Sequence, residues 1–193
     1  MKKTVLFLVI LMLLFALVFV MILVRKTNDT VEEEVYKLEY SEYVEKYSDK
    51  YEVPESLIFA VIRTESNFKA DAVSASGAMG LMQMMPLTFK DMQSRIGEEY
   101  EDEMLLDPEV NIKYGTYYLA YLYRYFKNWD NAIAAYNAGM GYVSSWLDNE
   151  EYSQDGELIN IPFSETDRYL KKVKSSLLKY EEILEKEEVE SYE

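Results

Sequence analysis

The chain contains no histidine and no cysteine. Their absence excludes the Ser-His and Cys-His nucleophile pairs, thiol redox chemistry and the usual zinc sites. Carboxylates, tyrosines, lysines and hydroxyls remain as catalysts, and neither a metal nor a cofactor is expected. A chain without cysteine has no disulfide framework, which is compatible with an oxidising exterior. Positive charge is also scarce, with 20 Lys and Arg against 35 Asp and Glu. Lys2, Lys3, Arg25 and Lys26 contribute +4 to residues 1–26, which hold no acid. The remainder of a chain of net charge −15 therefore carries −19. Such a domain is a poor ligand for nucleic acid and is repelled by anionic polymers and lipid head groups.

The one long hydrophobic run is Val5 to Val24, without a charge, Gly or Pro. At about 1.5 Å per residue it matches a hydrocarbon core of about 30 Å. No small-x-small cleavage site ends it, and no Cys is present for a lipid anchor. The expectation is an uncleaved, single-pass transmembrane signal anchor over residues 5–24, with the N-terminus inside and the domain on the outer side of the membrane. Positive charge on both flanks weakens the orientation signal.

Beyond the anchor the most telling stretch is Ile58–Phe68, IFAVIRTESNF. Leu57, Val61 and Glu65 are four apart, and Ile58, Ile62 and Glu65 are four and three apart. On a helix these share one face, which the aliphatic residues force into the interior. The pattern puts an acid where water is scarce. Burial disfavours its charged form and raises its pKa, as a general acid requires.

The rest reads as one mainly helical domain. Thr27 to Val31 is a polar linker. Helices are expected over Tyr36–Tyr51, from Pro54 to about Ser66, from Pro86, from Asp107-Pro108 to about Phe126, and over Asp130–Ala138 with Gly139 and Gly141 as stops. Asn67 to Gly80 is loop, and Gly77 and Gly80 suit backbone positions of positive φ or close approach of another group. Asp155-Gly156 suits a small hairpin. Ser164 and Asp167 resemble a capping box before a last helix to about Glu187. The domain boundaries are 1–26 (anchor), 27–50 (linker and first helix), 51–185 (catalytic domain) and 186–193 (acidic tail).

Four segments carry chemistry: Glu65-Ser66; Gly77-Ala78-Met79-Gly80-Leu81-Met82-Gln83; Ala134-Ala135-Tyr136-Asn137-Ala138-Gly139; and Ile161-Pro162-Phe163-Ser164-Glu165-Thr166 followed by Tyr169. In this order and spacing they resemble the catalytic domain of the soluble lytic transglycosylases, a branch of the lysozyme-like superfamily, over about Tyr51 to Tyr180. The resemblance implies a goose-type lysozyme-like helical fold. It also implies cleavage of the β-1,4 bond between N-acetylmuramic acid and N-acetylglucosamine in peptidoglycan glycan strands, leaving 1,6-anhydromuramoyl ends. Glu65 is then the single acid and base. Ser74, Gln83, Met85, Tyr136, Asn137, Glu165 and Tyr169 are implied substrate-site residues, with the Tyr136 hydroxyl bonded to Glu65. A monomer is expected. Two rivals remain: a hydrolytic muramidase on the same fold, and a catalytically idle wall-binding protein. Intact Glu65, Gln83, Tyr136 and Asn137 speak against the second.

Overall fold

The computed structural model describes residues 12, 14–24 and 35–191. The chain divides into a unit Met1–Lys37 and a unit Leu38–Glu193. In the first unit, residues 14–24 are helical with exposed side chains. Among the described residues no helix is long and apolar enough to cross a membrane. The membrane-spanning helix expected over residues 5–24 is therefore not borne out among the described residues, and residues 5–11 and 13 of it lie outside them. The expected linker Thr27 to Val31 also lies outside them.

The second unit is a helical domain with one small hairpin. Its elements are α1 (Ser41–Tyr51), α2 (Glu55–Glu65), α3 (Pro86–Ile96), a 3₁₀ turn (Asp102–Leu106), α4 (Pro108–Phe126), α5 (Trp129–Ala138), α6 (Met140–Leu147), β1 (Ser153–Gln154), β2 (Glu157–Leu158) and α7 (Ser164–Ser191). β1 and β2 pair antiparallel around Asp155-Gly156, as the turn signal predicts.

α2 is the axis of the core. Leu57 to Ile62 are all buried. The helix is thus enclosed on every side, more than the one-faced pattern suggests. Its main neighbour is α7, where the Phe59 and Tyr180 rings stack at 5.3 Å. α5 also packs on α7, and α4 packs on α5 and α1. These helices bring the ends of α2 and α5 and the first turns of α7 together.

The sequence explains the helix ends. Asp107 accepts a bond from Val110 N–H at 3.0 Å, and Pro108 occupies the first turn. Asn128 caps α5 through Asn131 N–H in the same way. Three boundaries differ from expectation. α1 begins at Ser41, because Tyr40 is left-handed and its carbonyl accepts the first helical bond from Val44. Gly139, at φ 93 and ψ 145, stops α5, yet this single residue redirects the chain straight into α6, which contains Gly141. No capping box forms at α7: Ser164 is already helical, and the Asp167 carboxylate binds Lys171 Nζ at 2.7 Å.

The loop between α2 and α3 is pinned to α4 by side-chain hydrogen bonds. Asn111, fully buried on α4, accepts from Met82 N–H at 2.7 Å. Its amide donates to Met79 O at 2.9 Å and Leu105 O at 2.7 Å. Met79 also bridges to Val73 and Met84. Gly80 lies at φ +77, and a Cβ there would fall 2.1 Å from Leu105 O. Only glycine fits this approach. Asn111→Ala removes three bonds and leaves their buried partners unsatisfied. It should cost at least about 2 kcal/mol. Urea unfolding of the purified variant checks this, and a midpoint equal to the parent's would show that the clamp carries no stability.

Candidate active site

Glu65 is the last residue of α2 and is half-buried, with its apolar helix behind it. Burial raises its pKa to about 7, and a hydrogen-bonding influence of Tyr169 lowers it only in part. The negative end of α2 acts in the same direction as burial. At neutral pH the carboxyl is thus partly protonated, as the sequence pattern predicts. Among the described residues no second carboxylate lies near enough to shift its proton affinity.

Two tyrosines share this space. Tyr169, from the second turn of α7, is 8% exposed. Its hydroxyl faces Glu65 without completing a well-formed hydrogen bond to any described residue. Burial first, and then the Glu65 charge, hold its phenol far above the ordinary range. Tyr136, near the end of α5, is raised by the same two causes in the same order. The bond to Glu65 that the family resemblance implies for its hydroxyl does not form. The hydroxyl donates instead to Met82 O at 2.9 Å and lies 3.4 Å from Met84 Sδ. The carbonyl wins because the clamped loop presents it directly to the ring. Tyr136 therefore ties the loop to α5 beside the acid.

The loop supplies the next groups. Gln83 sits at φ 48. Its Nε2 donates to Ala72 O at 3.1 Å and Gly80 O at 2.9 Å. The amide nitrogen thus braces the loop, and the amide oxygen is left as an acceptor. Gly77 and Gly80 both take the positive φ expected of them. The Ser74 hydroxyl accepts from Ala78 N–H at 2.9 Å and shares a 3.0 Å bond with Ser76. It shapes the turn and makes no bond to Glu65. Met85 caps α3 and is exposed, whereas Met82 and Met84 are core.

At the start of α7, Thr166 donates to Asn137 Oδ1 at 2.8 Å. Thr166 is buried, and this bond leaves the Asn137 NH₂ as a donor. Glu165 is exposed one residue earlier. Sequence reasoning did not single out Thr166 or Ser76. Each binds a predicted residue, but 29 positions separate Thr166 from Asn137, so spacing gives no signal. Tyr118 was missed too; its ring lies 5.3 Å from that of Tyr136.

The assembly is one proton-bearing carboxyl with two neutral phenols; Asn137, with its donor, follows Tyr136 in the chain, and Gln83, with its acceptor, lies on the loop that Tyr136 fastens. It can protonate a leaving oxygen and orient a neutral, acetamido-bearing ligand. Among the described residues no group of His, Asp or Glu is placed to hold a metal.

Residues 42–159 match the model of the transglycosylase SLT domain family, and the chain belongs to that family. The match spans Glu65, Ser74, Gln83, Met85, Tyr136 and Asn137. The soluble lytic murein transglycosylase of Escherichia coli K12 is 41% identical over 148 residues, covering 73% of this chain and 23% of the relative. The membrane-bound lytic murein transglycosylase C of Edwardsiella ictaluri is 36% identical over 172 residues, covering 75% of this chain and 47% of the relative. The solved 70-kDa soluble lytic transglycosylase of Escherichia coli superposes with a TM-score of 0.73 at 36% identity, over 79% of this chain and 26% of that one. A lytic transglycosylase structure from Pseudomonas aeruginosa gives 0.72 at 35% identity, over 78% and 25%. The chain thus spans under half the length of these relatives.

The Glu65 environment has a thermodynamic consequence. The folded carboxyl titrates near 7 and an exposed one near 4.5. Between these values the folded chain holds a proton that the unfolded chain releases. Stability therefore falls as pH rises from about 4.5 to about 7, then levels. Glu65→Gln should lack this slope. At pH 4 the variant and the parent should agree. At pH 8 the variant should be the more stable by about 3 kcal/mol, since the rise from 4.5 to about 7 spans between two and three tenfold steps in proton affinity, each worth about 1.4 kcal/mol. Parallel stability curves from urea unfolding at both pH values would show Glu65 to be solvated.

Proposed function

We propose that this protein is a lytic transglycosylase that cleaves peptidoglycan glycan strands and leaves 1,6-anhydromuramoyl ends. The observation that carries this reading is Glu65, partly protonated near neutrality and, among the described residues, without a second carboxylate near enough to shift it. The usual glycosidase scheme needs two carboxylates. With one, the same group serves twice. Glu65 protonates the glycosidic oxygen, and the bond from C1 of N-acetylmuramic acid to that oxygen breaks. The 6-hydroxyl oxygen of the same sugar bonds to C1 and gives its proton to the Glu65 carboxylate. No water is consumed, and the acid is regenerated. A pKa close to the working pH suits both transfers.

In this reading Tyr169 steadies the charged form of Glu65 between the two steps. The Asn137 NH₂ and the Gln83 amide oxygen orient acetamido groups. Ser74, Met85 and Glu165 edge the groove, and Tyr136 holds the loop to α5. Membrane-bound relatives and the apolar run at residues 5–24 favour attachment of a monomer to the cell membrane, with the catalytic domain on the wall side.

Mass spectrometry of muropeptides from digested wall tests the reading. The product should be one water lighter than a hydrolytic product and resistant to borohydride. Mostly reducible ends would make the protein a muramidase, with Glu65 still the acid. Glu65→Gln should reduce turnover by about 10²-fold or more while the fold persists, because an amide cannot donate the proton. Near-parental turnover would remove Glu65 from the mechanism.

Tyr169→Phe removes the influence that lowers the Glu65 pKa. The alkaline limb of the pH–rate profile should move to higher pH. An unmoved limb would assign Tyr169 to packing alone. EDTA should leave turnover of a small uncharged glycan unchanged, and its loss on chelation would require a metal in the reaction.

A further inference from the structure

The bond between Thr166 and Asn137 joins the two segments that bring tyrosines to Glu65. Asn137 directly follows Tyr136 near the end of α5, and Thr166 lies one turn before Tyr169 on α7. The phenols of both tyrosines are raised by burial and then by the Glu65 charge. Thr166, Tyr169 and Val173 are buried and lie three and four apart, so one face of α7 turns Thr166 inward. A buried hydroxyl needs a partner. Among the described residues the Thr166 hydroxyl has one, Asn137 Oδ1 at 2.8 Å.

That partner fixes the direction of the amide. The oxygen of an amide accepts and its NH₂ donates, whereas a hydroxyl does both. A turned-over Asn137 would still touch Thr166, with the NH₂ donating to the hydroxyl oxygen. The hydroxyl proton would then be buried without an acceptor, which costs an unmade hydrogen bond. Thr166 is 1% exposed, so bulk water does not supply one. The threonine proton therefore holds the amide with its oxygen toward α7 and its NH₂ free. Asn137 is half-buried, and that NH₂ bonds to no described residue.

A donor held in this way separates two kinds of amino sugar. An acetamido group presents a carbonyl oxygen, which accepts from the NH₂. A sugar without its acetyl group carries an ammonium, which only donates, and it meets the Asn137 NH₂ donor against donor. The same amide turned over would offer its oxygen to the ammonium. Discrimination is a difference between two affinities, and the fixed amide acts on both. We propose that Thr166 is a positioning residue: by locking the Asn137 amide it makes the site selective for N-acetylated over N-deacetylated glycan. The proposal rests on the glycan reading above and adds the residue that sets the direction of the amide.

The test uses two forms of one peptide-free wall glycan with the full chain. The N-acetylated strand serves as substrate, and the same strand after enzymatic N-deacetylation serves as competitive inhibitor. Thr166→Val keeps the shape and removes the proton. It should raise KM for the acetylated strand about fivefold, the value of one hydrogen bond, with kcat near the parental value. It should leave Ki of the deacetylated strand unchanged or lower it. The substitution alters no charge, so the pull of this acidic domain on the amines is the same in parent and variant. Thr166→Ser, which keeps the hydroxyl, should restore the parental ratio of Ki to KM. Equal rises in KM and Ki would make the bond merely structural and overturn the proposal. An unchanged KM, or a Thr166→Ser variant that behaves as Thr166→Val does, would overturn it too. Asn137→Ala should abolish the preference by itself, and a Thr166→Val effect that persists in the Asn137→Ala background would also overturn the proposal. All these outcomes leave the anhydro product in place. Absence of anhydro ends from the parent's digest would instead overturn the functional reading.

Discussion

In the proposed chemistry every step depends on the partial desolvation of one carboxyl, Glu65. α2 delivers Glu65 at its C-terminal end, one turn beyond seven consecutive buried residues, 56–62. The acid thus emerges from the core rather than from a solvated face. The desolvation that raises its pKa is a property of the whole helix packing, since α7 covers the same surface and contributes Tyr169. The cost of keeping an acid there is the pH-dependent stability it removes, a cost characteristic of sites that hold a group ready for reaction.

The loop between α2 and α3 is the second constraint. Loops that carry function need a rigid mount. Here the mount is one buried amide, Asn111, which binds three backbone groups. The Tyr136 hydroxyl fastens the same loop to α5 through Met82 O. Gln83 closes it internally. Gln83 braces the loop with its amide nitrogen and keeps its amide oxygen as an acceptor. Asn137, whose oxygen is held by Thr166, keeps its NH₂ as a donor in the same way.

Much of this was legible in the sequence. Glu65 stood out because helix periodicity is local: Leu57, Ile58, Val61 and Ile62 declare the buried face within two turns. Gly77 and Gly80 declared their backbone geometry for the same reason. The hydrogen-bond partners were not legible, because they depend on where separate helices cross. Tyr136 lies 54 positions from its acceptor and turns away from the expected bond to Glu65. Thr166 gives no sign of Asn137. α6 was hidden because Gly139 read as a stop, although one residue at positive φ can end one helix and begin the next. The family resemblance brought Tyr169 into the site; only packing showed that its hydroxyl faces the acid. The span expected over residues 5–24 rests on hydropathy, with no crossing helix among the described residues.

The central claim is that Glu65 stays protonated up to neutral pH because the fold excludes water from it. Its titration by carbon-detected NMR, with Glu65→Gln used to assign the resonance, measures this without reference to substrate or product. The expected midpoint is about 7. A midpoint near the ordinary 4.5 would contradict the claim, because a carboxyl ionised at neutral pH cannot supply the first proton.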